Sequence, residues 1–373
     1  MHEKSRGIFF ISGLTEDNAF VRYGVTFFIF VTRKKYMMKH ALIRHKSFSA
    51  ACAGMKLCFQ LAAMLFILAL LVFYISRLTP GDPLQSFYGD AVQSMTQEQL
   101  DAARVRLGLN DSIWVQFVKW TEQTLRGNFG ISLRYKRPVL EIVLPLLKNT
   151  LILGVISYVL VFSLAIGLAL VCARFENKWI DKIICKIGTM AFYTPAFWLG
   201  VVFVLIFSIN LKWLPASGAY DFGKANSPLN RAVHLVLPVS IMIISHFWYY
   251  AYMIRNKLLD ETRKDYVLLA RAKGLGKMQV LTKHCLRNVM PTIINIMAVS
   301  VPHLISGTYV VETVFNYPGI GLLAVSSAKY HDYNLLMLIV LITGFLIIIS
   351  SFIAQYVNEH IDPRMKNTDI IIL

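Results

Sequence analysis

The chain has 373 residues, of which 56% are hydrophobic and only 16% are charged. Soluble domains carry about a quarter charged residues, so this composition excludes an ordinary soluble enzyme and an intrinsically disordered chain. The mean hydropathy of +0.55 points the same way. The composition therefore predicts a membrane protein.

Six segments of 20 to 24 residues contain no Lys or Arg, and Glu312 is the only acidic residue within them. At 1.5 Å per residue, each is long enough to cross a hydrocarbon layer of ~30 Å as a helix. Helices satisfy every backbone group inside that layer. We therefore predict an all-α protein with six transmembrane helices, at 57–76, 150–173, 188–211, 232–254, 292–315 and 334–357.

The basic residues between these segments predict the orientation. The two termini and two of the loops together hold 25 Lys and Arg, against 4 in two short opposite loops and 9 in one long opposite segment. Short loops decide the positive-inside rule, so both termini are predicted to be cytoplasmic. Anionic lipid accounts for the net charge of +17, and no nucleic-acid partner is predicted. The cysteines lie in spans or cytoplasmic segments, where no disulfide framework is expected.

This topology divides the chain into five parts. They are a basic cytoplasmic arm (1–56), the first span (57–76), an extracytoplasmic segment (77–149), a five-helix core (150–357) with the cytoplasmic loop 255–291, and a cytoplasmic tail (358–373). Met37, Met38 and Met55 are alternative starts. Residues 1–36 are therefore expected to be dispensable or outside the native start.

Two helices are predicted in the extracytoplasmic segment. Thr96 and Gln99 fit a capping box that opens an amphipathic helix ending at Gly108. A second helix, broken at 127–130, is predicted to pack one face onto the membrane domain in preference to lining a ligand pocket. That face consists of Trp114, Phe117, Val118, Thr121 and Leu125.

Pro195, Pro238 and Pro302 lie inside the third, fourth and fifth predicted spans. A proline removes a backbone hydrogen bond and kinks a helix. Kinked spans suit a protein that rearranges, although membrane helices are rich in proline anyway. Both interpretations remain open at this point.

Common catalytic signatures are missing from the sequence. It has no G-x-x-x-x-G-K-[ST], no H-E-x-x-H and no G-x-S-x-G, and no cysteine pairs at metal-binding spacing. We therefore predict no catalytic residue, no metal site and no cofactor bound by this chain.

Three polar residues within the spans are candidates for a translocation pathway, because such groups are costly in lipid. Glu312 lies near the outer end of its span, where a solvated helix end is the favoured interpretation. His246 and His303 lie deeper, and a histidine bonded to a backbone carbonyl is favoured over a substrate or metal contact.

The loop between the fourth and fifth spans has a distinctive pattern. Residues 265–273 form a short run of good helix formers that Gly274 is predicted to stop, and a second basic helix follows. The small side chains of Ala270 and Ala272 would let another protein approach closely. A basic helix lying on anionic lipid is the alternative.

This loop resembles the EAA-type coupling motif of ABC importer permeases, in the D-Y-V-x-x-A-R-A-K-G…H-x-L-R-N…P form of the oligopeptide/dipeptide/nickel branch. This sequence lacks the Glu-Ala pair with which the motif begins, and its amino-terminal arm is longer than the short amino terminus of the family. Other family motifs follow in order over about residues 56–366. They are Pro80-Gly81-Asp82-Pro83, Phe129-Gly130-Ile131-Ser132, Pro138-Val139, 213–218, Leu237-Pro238, Glu312…Phe315, Pro318-Gly319-Ile320-Gly321, Asp332-Tyr333 and Asp362-Pro363-Arg364.

The resemblance implies a type I ABC importer permease in the cytoplasmic (inner) membrane. Such a chain pairs with a second homologous permease, two ATP-binding subunits and an extracytoplasmic solute-binding protein. ATP is hydrolysed on the partner subunits, so the chain itself is not an enzyme.

The resemblance also implies roles for the coupling loop. Ala270, Ala272 and Gly274 would permit close docking, and Asp265, Arg271 and Lys273 would supply polar contacts. The loop would be tied to the point where the chain enters the membrane. The coupling-loop set is Asp265, Tyr266, Ala270, Arg271, Ala272, Lys273, Gly274, His284, Arg287, Asn288 and Pro291.

Peptides are the predicted substrate, with nickel or a nickel chelate as the alternative in the same architecture. An ATP-independent channel or secondary transporter is a distant alternative, which intramembrane carboxylates or an inverted repeat would favour. Neither sign is evident in the sequence. A non-transporting receptor or scaffold would fail to co-purify with an ATPase.

Overall fold

The computed structural model describes residues 57–78, 83–106 and 108–361, and within these ranges the regular structure is helical. The arm 1–56 with its alternative starts, the turn residues Pro80, Gly81 and Asp82, and the motif Asp362-Pro363-Arg364 lie outside the described residues. The helices are α1 (Leu57–Leu78), α2 (Pro83–Tyr88), α3 (Gln97–Arg106), α4 (Ile113–Leu125), α5 (Val139–Arg174), α6 (Trp179–Tyr193), α7 (Ala196–Asn210), α8 (Pro228–Thr262), α9 (Asp265–Ala272), α10 (Lys277–Val314), α11 (Ile320–Lys329) and α12 (Tyr333–Ile361).

Five of these helices are long and apolar enough to cross a membrane, namely α1, α5, α8, α10 and α12. Helices α6 and α7 pass the same test only as a pair, bent by 96° at the break between them, so the described residues hold five spans, or six with this pair counted as one. The segment predicted as one span over 188–211 is thus two helices, with a sharper bend than a kink. Pro195 lies at the break, and Thr194 before it is extended, as a residue preceding proline prefers to be. By contrast, Pro238 and Pro302 lie inside the single helices α8 and α10.

Small residues bring the central helices together. Ala165, Ala169 and Ala173 are spaced by one helical turn along α5, and all three are fully buried. They belong to the main apolar cluster, which also contains Ile241 and Ile254 of α8. Without a hydrophobic driving force in lipid, close van der Waals packing between small residues holds such helices side by side. The α5–α8 pair thus forms the centre of the molecule.

The capping box at the start of α3 is confirmed. The Thr96 N–H donates to Gln99 Oε1 at 3.0 Å, and the Gln99 N–H donates to Thr96 Oγ1 at 3.4 Å. The expected amphipathic character is wrong, because Ala103 is the only buried side chain of α3. Positive φ values at Gly127 and Gly130 end the following helix region where the break was predicted.

The predicted inward face of α4 is right in part. Phe117 is buried and packs against Phe73 of α1, with Ile113 and Trp120 beside it. The other apolar members of the predicted face, Trp114, Val118 and Leu125, are exposed. The prediction set the face too far to one side, because apolar residues cover a wide arc of this helix.

Candidate functional site

The coupling loop folds as a short helix followed by a glycine stop, as predicted. Helix α9 ends at Ala272, and Gly274 has a φ of +83°, a conformation that glycine adopts at low cost. The Gly274 N–H donates to the Arg271 carbonyl at 2.9 Å, and the Leu275 N–H donates to the Ala270 carbonyl at 3.3 Å. These bonds satisfy carbonyls that the end of the helix leaves free.

The two sides of α9 have different surroundings. Val267 and Ala270 are buried against the chain's own core, because residues three apart share a helix face. The interpretation of Ala270 as a docking residue is therefore wrong. Leu268 and Leu269, which the sequence reasoning missed, are 62% and 59% exposed. Of the other predicted members of this helix and its stop, Tyr266 is half-buried, and the rest are exposed, namely Asp265, Arg271, Ala272, Lys273 and Gly274.

One buried carboxylate joins α9 to the two neighbouring long helices. Glu261 lies in the last turn of α8 and is 8% exposed. Its Oε1 accepts hydrogen bonds from the Tyr266 hydroxyl of α9 at 2.9 Å and from Asn288 Nδ2 of α10 at 3.3 Å. Its Oε2 lies 2.6 Å from Lys264 Nζ. We call Glu261, Lys264, Tyr266 and Asn288 the coupling cluster.

The hydroxyl of Tyr266 acts as a donor in this cluster. Burial and the hydrogen bond to Glu261 raise the pKa of Tyr266 well above its usual range. The hydroxyl therefore keeps its proton at physiological pH and continues to donate to the carboxylate. Tyr266 and Asn288 belong to the predicted coupling-loop set, whereas Glu261 and Lys264 were missed, and the sequence signal for these two is an acidic residue three positions before a lysine at the end of a span.

The second half of the predicted coupling set lies in α10. Asn288 reaches the coupling cluster, whereas Arg287 is exposed and His284 is half-buried. The second helix predicted in this segment is present: α10 begins at Lys277, contains Pro291 and continues without a break into the apolar span.

A second polar link joins α6 to α8. Asp181 is 2% exposed, and its Oδ1 accepts a hydrogen bond from Arg255 Nε at 2.7 Å. Arg255 Nη2 donates to the other carboxylate oxygen, so the pair is bidentate. The Asn177 N–H also donates to Asp181, at 3.1 Å. A cavity of about 330 Å³ lies beside the pair, with Trp248, Tyr249 and Tyr252 in its wall.

Glu312 is not a solvated helix end, as the sequence suggested, because it is fully buried. Its Oε2 accepts hydrogen bonds from the Gly321 N–H at 2.7 Å and the Leu322 N–H at 3.3 Å. These N–H groups belong to the first turn of α11, where the helix dipole favours a carboxylate. Glu312 therefore fixes the turn between α10 and α11.

The predicted turn Pro318-Gly319-Ile320-Gly321 is packed from both sides. Asn149 of α5 donates to the Pro318 carbonyl at 2.8 Å, and Thr150 Oγ1 accepts from the Ile320 N–H at 2.9 Å. A side chain at Gly321 would come within 2.5 Å of the Tyr309 ring. The turn is thus held by α5 and α10 together.

The two histidines have different environments. His246 is buried, and its Nδ1 lies 2.9 Å from the Met242 carbonyl, which confirms the predicted carbonyl contact. Its ring centroid lies 5.3 Å from that of His303, which is exposed. Among the described residues, no group of three His, Cys, Asp or Glu side chains is placed to hold a metal ion. Of the three candidate pathway residues, only His303 is exposed.

Two family motifs that lie far apart in the sequence are in contact in the structure. Asp332, which is buried, accepts a 2.5 Å hydrogen bond from Ser132 Oγ and a 3.1 Å bond from the Arg134 N–H. Asn334 Nδ2 donates to the Ile131 carbonyl at 2.8 Å. The segment between α4 and α5 is thereby fastened to the start of α12.

The chain matches two family models. Residues 165–367 match the binding-protein-dependent transport system inner membrane component, and residues 55–154 match the N-terminal part of such membrane components. The first match alone covers more than half of the chain. Together the two matches cover most of the described residues, including α9 and the coupling cluster.

Curated relatives are similar over almost their whole length. The oligopeptide transport system permease protein AppB of Bacillus subtilis (strain 168) is 32% identical over 300 residues, which are 80% of this chain and 94% of that protein. A putative peptide permease protein of Brucella suis biovar 1 is 31% identical over 306 residues, or 82% and 96% of the two chains. These relatives are named as permeases, which are transport components and not enzymes.

Among solved structures, a chain of the MetNI methionine ABC transporter in inward-facing conformations is similar with a TM-score of 0.49. It shares 14% identity and covers 60% of this chain and 97% of its own length. The family models and the curated relatives agree on one assignment. The chain belongs to the binding-protein-dependent transport system inner membrane components, as a multi-pass permease of the ABC importer class.

Proposed function

We propose that this chain is the membrane-spanning subunit of an ATP-driven peptide importer and that α9 is its contact with an ATPase subunit. The observation that carries the proposal is the geometry of α9, whose exposed Leu268 and Leu269 stand beside Ala272 on a helix tied to two spans. Apolar side chains exposed in contact with water are typical of a surface that another protein covers. The named activity of the relatives, oligopeptide and peptide transport, supports peptides as the substrate.

The partners proposed are a second homologous permease, two ATP-binding subunits and an extracytoplasmic solute-binding protein. The family description, a component of a binding-protein-dependent transport system, supports this set. ATP is used by the partner subunits, since the sequence of this chain has no P-loop motif.

The coupling cluster suggests how movement of the ATPases reaches the membrane. Closure of the ATPase pair around ATP would displace α9 as a rigid body. Because Glu261 bonds to Tyr266 and Asn288, α8 and α10 would move with α9. The same helices would pack in two alternative ways. Nucleotide bound on one side of the membrane and loaded binding protein on the other would each shift the equilibrium between these two packings.

The proposed orientation places both termini and α9 in the cytoplasm. The excess of Lys and Arg around α9 supports it, since the loop 255–291 holds 9 of them. The segment between α1 and α5, which contains α3 and α4, would then lie at the extracytoplasmic side.

One face of α10 is the best candidate for the translocation pathway. His303, Ser306 and Thr313 are exposed on it, together with Val299 and Val310. Their spacing of three or four residues places them in one stripe. Polar side chains within a span avoid lipid and face protein or water. We therefore propose that this stripe, with His303 at its middle, faces the pathway shared with the second permease.

Uptake of a labelled short peptide and of labelled nickel, compared in cells with and without this chain, tests the function. We expect loss of peptide uptake alone. Loss of nickel uptake alone would replace peptides by the metal or its chelate. Uptake that survives depletion of ATP would contradict an ATP-driven importer and favour a channel or secondary transporter.

A further inference from the structure

Helix α4 carries more apolar surface than the protein covers. At 100° per residue, its apolar side chains fill a wide arc. Lys119 lies across the helix from this arc, and Glu122 borders it, one turn after Val118. Phe117, in one half of this arc, is only 5% exposed. The other half is exposed by 62% at Trp114, 62% at Val118 and 83% at Leu125. We call these three residues the outer stripe of α4.

The contacts of Phe117 show how deep α4 lies. Its ring centroid is 5.2 Å from that of Phe73 and 5.7 Å from that of Phe66, both in α1. Phe66 precedes the end of α1 at Leu78 by roughly 18 Å of helix at 1.5 Å per residue. The hydrocarbon layer is only about 30 Å thick. Helix α4 therefore lies beside the apolar length of α1 and not beyond its end.

The surface of α1 beside Phe117 is also apolar and exposed. Phe66, which touches Phe117, is itself 51% exposed. Ile67 and Leu71 of α1 are exposed to a similar degree, by 56% and 54%. A membrane-spanning helix with such a surface is in contact with lipid or with another span.

The two charged side chains of α4, Lys119 and Glu122, are each paired with a residue just beyond one end of the helix. Lys119 Nζ lies 2.7 Å from Asp111 Oδ2, and Arg126 lies 2.6 Å from Glu122. All four side chains are partly or largely exposed. A wide apolar arc bordered by paired charged residues is typical of a helix that lies in the membrane interface.

We propose that α4 is seated in the membrane and that Trp114, Val118 and Leu125 are buried among the acyl chains of the leaflet in which α1 ends at Leu78. The ligand of this surface is phospholipid. The proposal does not depend on the transported substrate. A soluble partner protein, such as a solute-binding protein, is the competing occupant that the experiment separates.

The test replaces Val118 by the photo-crosslinking residue benzoylphenylalanine in the full transporter, in membranes whose phospholipids are radioactively labelled. Lys119 is the matched control, since it is the next residue along the helix and its side chain is 66% exposed, close to the 62% of Val118. The same replacement is made at Leu125, a second apolar position, so that the test does not depend on correct folding of the Val118 variant alone. After irradiation, we expect labelled phospholipid to be attached to the chain in the variants at positions 118 and 125, and not in the variant at position 119.

Crosslinking of positions 118 and 125 to another protein would overturn the proposal. Equal labelling by lipid at all three positions would do so as well, because it would show no preference for the outer stripe. Chain that reaches the membrane normally yet carries no phospholipid at 118 and 125 would also contradict it.

Discussion

Gly319 is a position where the absence of a side chain lets a buried carboxylate reach the start of a helix. A Cβ at this position would overlap the carboxyl group of Glu312, which accepts hydrogen bonds from Gly321 and Leu322. Both residues belong to motifs of the family, and the structure explains why a small residue is needed. The carboxylate and the glycine form one unit.

Replacing Gly319 by alanine should therefore lower the melting temperature of the detergent-purified protein. Forcing a methyl group into a packed site costs about 1–3 kcal/mol. Gly167→Ala in α5 is the matched control, because no atom lies within 4 Å of its added Cβ. Thermal unfolding followed by light scattering compares the two. An unchanged midpoint for Gly319→Ala would show that Glu312 can move aside at no cost.

Gly274 illustrates a different requirement. The space around it is open, so the preference for glycine comes only from its φ of +83°. A residue with a side chain pays ~1–2 kcal/mol in this conformation, whereas Asn tolerates it better. Gly274→Glu should abolish uptake while the protein still reaches the membrane, and Gly274→Asn should retain much of it. Normal uptake by Gly274→Glu would remove the coupling role of this turn.

At the scale of elements, the bent pair α6–α7 depends on its link to α8. The ion pair between Asp181 and Arg255 is almost fully buried. Removing one partner of such a pair leaves an uncompensated charge and costs about 3–5 kcal/mol, while replacing both by apolar residues is often nearly neutral.

Asp181→Ala should thus reduce the amount of folded protein in the membrane far more than the double change Asp181→Leu with Arg255→Leu. Fluorescence-detected gel filtration of tagged protein measures both. If the single and double variants lose folded protein equally, the stability at this site depends on packing and not on the unpaired charge.

Local hydropathy was enough to predict the spans, because a run of about twenty apolar residues has the length and composition of a membrane-spanning helix. Pro195 predicted a kink in the third span, but the size of the 96° bend was not predictable, since proline permits both a kink and a break and the neighbouring helices decide between them. Likewise, only Phe117 of the predicted α4 face packs inward. The Asp181–Arg255 pair was not predictable, because its partners are 74 positions apart.

The coupling loop was predictable as a helix and a glycine stop, since caps are local. Its orientation was not, because burial of Ala270 and exposure of Leu268 depend on how α9 packs against the spans. Glu261 carries no local signal that separates it from its exposed neighbour Asp260. Only the fold shows that one of the two carboxylates is a shared acceptor.

For the molecule as a whole, Glu261 is the point at which α8, α9 and α10 are joined. Glu261→Gln keeps the size of the side chain but removes the charge that strengthens its hydrogen bonds, worth about 1.5–3 kcal/mol each. Peptide uptake should fall about tenfold or more, since 1.4 kcal/mol is a factor of ten. ATP hydrolysis stimulated by loaded binding protein should fall much less, because the proposed contact of α9 with the ATPase would remain.

The control is Asp260→Asn, which removes the same charge from the exposed neighbouring residue. Uptake and ATP hydrolysis are measured in the same proteoliposomes, so that their ratio reports coupling. A parallel fall of both activities in Glu261→Gln would indicate a general loss of structure and contradict a coupling role.

The contact between Ser132 and Asp332 joins positions 200 residues apart, and this separation has a consequence for biosynthesis. A ribosome adds about 5–20 residues per second, so the segment around Ser132 waits roughly 10–40 s before its partner exists. During that interval the long helices α5, α8 and α10 are made while this segment lacks its final anchor. Synthesis of residues 332–334 therefore provides the closing contact of assembly, and a nascent chain that stops before Asp332 leaves the region between α4 and α5 without these hydrogen bonds.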